Sequence, residues 1–186
     1  MRRPIHYSSS SFTRQRGFVV SVLGSDLRKQ LENVCVAGRR EADAACRAVL
    51  EPWDVWGDRP PAFLNDEQRL LRRGLRARSR QLGDVEPSIE LLVAECAYEQ
   101  WHRLLFARFL AENRLLIHPD FGAPVSLDEC DELAESLGEP DGWSVAARFA
   151  AEILPGIFRL DDPALQLRLT PDGLSRLERL VESPPA

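Results

Sequence analysis

The chain has 186 residues, 44% hydrophobic and 28% charged, with a formal net charge of −5. That is enough chain to bury a real core, and it is too apolar for a disordered protein. No run approaches the roughly 18 apolar residues a membrane span needs, so no membrane partner is expected.

The basic residues are 23 Arg and one Lys, Lys29. Arg2, Arg3, Arg14 and Arg16 precede the first acid, Asp26, and the remainder carries 20 basic and 29 acidic residues, a net of −9. Such a body disfavours nonspecific attraction to nucleic acid or anionic membrane. The opening "MRRPIHYSSSSFTRQRG" is basic, Ser-rich and acid-free. Organellar transit peptides share that composition. A disordered tail, or a start codon set too far upstream, is the simpler reading, and residues 1–22 are expected to be a disordered basic tail. Cys35, Cys46, Cys96 and Cys130 form no C-x-x-C pair, which fits reduced thiols in a cytoplasmic protein.

The first helix is expected to start after Ser25 as N-cap and to end at Pro52. Leu27, Leu31, Val34, Ala42, Ala45 and Val49 give it one apolar stripe. A loop rich in Trp, Pro and Gly follows, "EPWDVWGDRPPAF". Asn65 and Gln68 have the spacing of a capping box for a second helix, which runs to Gln81 or Leu82 with Gly83 as terminator. Ser88 opens a long central helix, roughly 88–113. Ser126 and Glu129 form another capping box for a helix ending at Gly138. A further helix carries Trp143, Ala147, Ala150 and Leu154 and stops at Pro155-Gly156. The last begins at Thr170 with Pro171 in its first position. Strand signals are weak, apart from a faint alternation in "ALQLRL". The expected fold is therefore all-α, with about six helices around the central one and no substantial sheet. One helical domain would span 23–182, with a subdivision allowed near 83–87 and a frayed 183–186.

The central helix is apolar over most of its circumference. With Tyr98 at the centre of a helical wheel, Leu91, Ala94, Trp101, Leu105 and Phe109 fall beside it. The expectation is burial on several sides, with a narrow polar strip of Glu99, Gln100 and Arg103 and an i,i+4 pair from Glu99 to Arg103. Glu99 and His102 have the E-x-x-H spacing of di-iron bundles. A complete site needs a second such motif, and neither His6 nor His118 has a Glu three residues earlier. His102 is accordingly read as a partly buried histidine with a hydrogen-bonding partner. Zinc ligand spacing is also missing, so no metal is expected.

The second helix carries the main electrostatic feature. Arg69, Arg72, Arg73, Arg76 and Arg80 share one face, opposite Leu71, Leu75 and Leu82. A basic face of that kind suits the phosphates of duplex DNA. The alternative is charge pairing, since eight acids and no base lie between Arg114 and Arg148. No G-x-S-x-G, no Cys with an evident His partner and no Gly-rich phosphate loop occurs.

The runs "AYEQWHRLLFARFLAENRLLIHP", "PVSLDECDELA", "AARFAAEILPGIFR" and "DDPALQLRL" together resemble a known region. It is the helical N-terminal part of large bacterial adenine-specific DNA methyltransferases, the PglX-like enzymes of phage-defence and restriction–modification systems. Upstream, "LGSDLRKQLENVCVAGRREADAA" and "LNDEQRLLRRGLRARSRQLGD" fit the same region, so the resemblance spans roughly Leu23 to Leu180. It implies a separate catalytic domain that binds S-adenosylmethionine and methylates adenine. That domain's motifs do not transfer to this chain. Asp162-Pro163-Ala164 is followed by Leu165, Gln166 and Leu167 instead of glycines. In Asp58-Arg59-Pro60-Pro61-Ala62-Phe63, Arg59 and Ala62 interrupt the catalytic pattern. The chain stops at "VESPPA", about where the family continues toward its catalytic half. The expectation is a truncated or separated non-catalytic module, with no cofactor and no methyl transfer of its own. Its partners would be a catalytic methyltransferase domain in cis or in trans, and duplex DNA. The alternatives are a free-standing helical interaction protein, whose acidic 120–141 segment meets a basic partner, and a helical DNA-binding protein that uses the Arg stripe.

Overall fold

The structure, a computed structural model, describes residues 24–156 and 158–182. The tail expected at 1–22 and the fraying expected at 183–186 lie outside the described residues. Among the described residues seven helices follow one another: α1 (Ser25–Leu50), α2 (Asp66–Leu82), α3 (Glu90–Glu112), α4 (Leu127–Leu137), α5 (Gly142–Ile153), α6 (Pro163–Gln166) and α7 (Pro171–Glu182). The only pairing of extended backbone among the described residues is a single bridge between Ile117 and Pro124. The all-α expectation therefore holds, and α6 is the one helix that the sequence pattern missed. None of the described helices is long and apolar enough to cross a membrane.

Local capping sets most boundaries. Asn65 Oδ1 accepts from Gln68 N at 2.8 Å, and Gln68 Oε1 accepts from Asn65 N at 3.0 Å. Ser126 and Glu129 repeat this arrangement at α4. Gly83 and Gly138 end α2 and α4 with φ of 97° and 70°, where a side chain would be strained. Two starts differ from expectation. Gly24, not Ser25, is the N-cap of α1, and no side chain caps it. Ile89, not Ser88, occupies the N-cap of α3. The free N–H groups there are taken by Asp84, whose carboxylate accepts from Leu91 N at 2.9 Å and Leu92 N at 3.0 Å. Ser79 Oγ, on α2, donates to the same carboxylate at 2.7 Å. An acid at a helix N-terminus satisfies orphan donors and the helix dipole together.

α1 and α3 form the central pair. Gly38 meets Trp101 near the middle, and Arg47 binds Glu90 at one end, so the two helices run antiparallel. α7 closes on α1 where Gly173 approaches Ala45. α5 carries Phe149 into the same core, which also holds Leu75, Leu92, Leu104, Phe158 and Leu177.

The inward face of α3 is not the one centred on Tyr98. It consists of Leu92, Val93, Cys96, Ala97, Gln100, Trp101, Leu104, Ala107 and Leu110. Tyr98 is 53% exposed and Phe109 55%, and Leu91 also faces solvent. Small side chains let neighbouring helices approach, so Cys96, Ala97 and Ala107 lie inward, and Trp101 fits among them against Gly38. The expected polar strip is split as well. Gln100 is fully buried, and its amide donates to the carbonyls of Leu167 at 2.8 Å and Ala164 at 3.1 Å. Glu99 pairs with Arg159 at 3.2 Å, not with Arg103.

Candidate functional site

The arginine face of α2 meets the loop that precedes it. Residues 51–57 run through successive turns, and their carbonyls need donors. Arg72 is buried, and its Nε donates to the carbonyls of Trp53 at 2.8 Å and Asp54 at 3.1 Å. Its Nη2 donates to the Gly57 carbonyl at 2.6 Å and again to Asp54. Arg76 donates to Val55 O at 2.6 Å and to Gly57 O. Arg80 lies 5.4 Å above the ring centroid of Trp56, whose Nε1 donates to Ser88 O at 2.7 Å. Arg69 reaches Asp66 at 3.4 Å. Arg73 is exposed and lines the cleft described below.

Three of the five stripe arginines thus hold the α1–α2 connection. A guanidinium suits that role because its planar fork serves several carbonyls at once. Burial lowers the Arg72 pKa, and the neighbouring Arg76 adds to that effect while Asp54 opposes it. The acids of 120–141 also have internal duties. Asp131 accepts from Gly142 N at 3.0 Å, Asp141 accepts from Ser144 N at 2.7 Å, and Glu139 pairs with Arg148 at 3.5 Å.

Two features lack such a structural role. The first is a cleft of about 1180 Å³ between α2, α5 and the segment from Leu160 to Leu174. Arg103 of α3 forms part of its lining, with Arg73, Arg148 and Arg168 around it. The Arg103 Nη2 donates to Gln100 Oε1 at 2.8 Å, and Nη1 makes one long bond of 3.4 Å to Leu165 O. Its Nε is buried without a partner. Among the described residues no carboxylate forms an ion pair with it. Burial holds its pKa below the usual guanidinium value, with Asp141 and Cys46 pulling the other way. The helical wheel puts Arg103 in the polar strip, paired with Glu99, and the structure pairs Glu99 with Arg159 instead. The i,i+3 spacing of Arg103 from the buried Gln100 was the available signal.

The second feature is the outward face of α3. Tyr98 and His102 stack at 5.2 Å with an interplanar angle of 20°. His102 then meets Phe106 edge-on at 4.6 Å, and Phe106 meets Phe109 at 6.4 Å. Leu91 and Leu105 flank these rings. From Leu91 to Phe109 the face runs about 27 Å at 1.5 Å per residue. Its rim is charged but paired, Glu95 with Arg78 and Glu99 with Arg159. His102 is half-buried within this row, and ring contacts stand where a hydrogen-bonding partner was expected.

No family model, curated protein or solved structure matches this chain. Among the described residues, no three His, Cys, Asp or Glu side chains converge as metal ligands would. The thiols of Cys46, Cys96 and Cys130 are buried and unpaired. Desolvation pushes Cys46 up to about 12 and Cys130 to about 11, and raises Cys96 further. Such thiols stay protonated and are poor nucleophiles.

Proposed function

We propose that this chain is a helical docking module. It serves as the non-catalytic N-terminal part of a cytoplasmic bacterial adenine-specific DNA methyltransferase, of the phage-defence or restriction–modification type. The observation that carries the docking role is the outward face of α3. Tyr98, Leu105, Phe106 and Phe109 form a continuous apolar and aromatic row, with paired charges at its rim. Large contiguous apolar patches on a protein surface mark interaction sites. Aromatic anchors inside a polar rim are the usual make-up of an interface.

The family rests on the sequence resemblance, whose densest run, "AYEQWHRLLFARFLAEN", is this same helix. The occupant of the face is then the catalytic domain, joined in cis or supplied in trans. S-adenosylmethionine and the target adenine belong to that domain. Duplex DNA is contacted by the assembled enzyme, and Arg73 is the exposed stripe residue that the loop does not engage.

The gene sequence after Ala186, in the same or a neighbouring frame, tests the family. Asp-Pro-Ala-x-Gly-x-Gly followed by Asn-Pro-Pro-Tyr is expected, and unrelated sequence there overturns the assignment. The docking role is tested by mixing the purified catalytic domain with this chain. The wild type should be retained, and the double variant Tyr98→Ser, Phe109→Ser should be lost. Equal retention of both would place the contact elsewhere.

A further inference from the structure

Arg72, which is buried, and Arg103, which is half-buried, invite comparison. Arg72 donates to three different loop carbonyls, so its burial is compensated. Arg103 has one good bond, to the neutral Gln100 amide, and one long bond to Leu165 O. The Nε atoms of Arg69, Arg78 and Arg103 are all buried without a partner, but Arg69 and Arg78 each hold a carboxylate in an ion pair, and Arg103 holds none among the described residues. A charge partly withdrawn from water and left without a counter-charge is destabilising. Unsatisfied buried donors are rare in native proteins, and an absent ion is one established reason for them.

The surroundings indicate what the missing partner is. Arg103 faces a cleft of about 1180 Å³, wide enough for an organic molecule and more than a lone ion needs. Arg73 and Arg168 stand exposed on its walls, and neither has an ion-pair partner among the described residues. The acids on the walls are Glu67, Glu139 and Asp141. Glu139 is paired with Arg148, and Asp141 caps α5. Leu70 and Leu160 expose apolar surface to the same space, at 61% and 49%.

We infer that this cleft binds an organic anion, a carboxylate or phosphate carried on an apolar body, with its charged group against the Arg103 guanidinium and its body along Leu70 and Leu160. Arg103 suits this because Gln100 holds it in place before the ligand arrives, and guanidinium matches both oxyanions geometrically. Arg73 and Arg168 supply attraction at the mouth. The site is separate from the outward face of α3 and does not depend on the methyltransferase reading.

The test is calorimetric titration of the full chain with octanoate, octyl phosphate, inorganic phosphate and the neutral octyl glucoside. Saturable binding of octanoate or octyl phosphate is expected, and the tighter of the two identifies the headgroup. Inorganic phosphate should bind at least about tenfold more weakly than octyl phosphate, because it lacks the apolar body that lies along Leu70 and Leu160. Arg103→Gln should weaken the anion at least about tenfold, the cost of a charged hydrogen bond. Arg73→Gln with Arg168→Gln changes only exposed residues, so it keeps the test valid should Arg103→Gln fail to fold. That double variant should weaken binding about threefold or more and flatten its salt dependence. The proposal is overturned if neither anion saturates, if octyl glucoside binds as well as they do, or if folded variants bind like wild type.

Discussion

The six-membered ring of Trp101 sits directly on the backbone of Gly38, with no room for a methyl group between α3 and α1. Elsewhere in a helix, Gly→Ala stabilises by about 0.8–1 kcal/mol through propensity. Here the sign reverses. Gly38→Ala should destabilise by about 1–3 kcal/mol, since overpacking outweighs propensity. Trp101→Ala should cost about 3–5 kcal/mol. Urea denaturation of both variants checks this, and a stabilised Gly38→Ala would mean that the two helices do not meet there.

Arg72 should matter for stability much more than its neighbour Arg73. Arg72→Ala strands the carbonyls of Trp53, Asp54 and Gly57 in a part-buried loop and should cost about 1–3 kcal/mol, the range for buried acceptors left without a donor. Arg72→Lys should recover little, because an ammonium cannot serve three carbonyls from one plane. Arg73→Gln should stay within about 0.5 kcal/mol of wild type, as surface substitutions do. Similar losses at both positions would show that the loop is not held by Arg72.

The two sides of α3 should separate cleanly in a pair of substitutions. Leu104→Ala, on the inward side, should cost about 2–5 kcal/mol. Tyr98→Ser, on the outward side, should change stability by about 0.5 kcal/mol or less. Thermal melts of the two variants measure the difference. A strong loss at Tyr98 would restore the wheel centred on that residue.

These outcomes mark where sequence reading succeeds and where it stops. Capping is local, so Asn65 with Gln68, Ser126 with Glu129, and the glycines at 83 and 138 could be read three or four residues at a time. The facing of α3 could not, because a helix apolar on all sides carries no moment to orient it. Asp84 was missed as the cap of α3 because its contacts span seven and eight residues across a turn. The Arg72 and Arg76 side chains read as a solvated basic face because their partners are backbone carbonyls, and the path of the loop supplies those. Gln100 and Arg103 sat on the polar side of the wheel, yet they turn inward because the segment 164–167 brings unpaired carbonyls to them. In each case the local signal was present, and its partner came from a distant part of the chain.

Glu178 gives a prediction in pH. Its carboxylate accepts from Trp143 Nε1 at 2.6 Å on the partly buried side of α7. Desolvation raises its pKa above the ordinary 4.5, the Trp143 bond opposes this, and the nearby Glu182, Asp131 and Asp141 reinforce it. A carboxyl whose folded pKa is raised binds its proton more tightly in the folded protein. The associated stability is fully present below the unfolded value and is lost as pH rises through the folded pKa. Glu178→Gln keeps an acceptor for Trp143 and removes the buried charge. Its urea midpoint should therefore exceed that of wild type at about pH 8 and match it at about pH 4, where the wild-type carboxyl is protonated when folded. A variant less stable than wild type at the higher pH would mean that the ionised carboxylate is stabilising, and that the charge of Glu178 outweighs its burial.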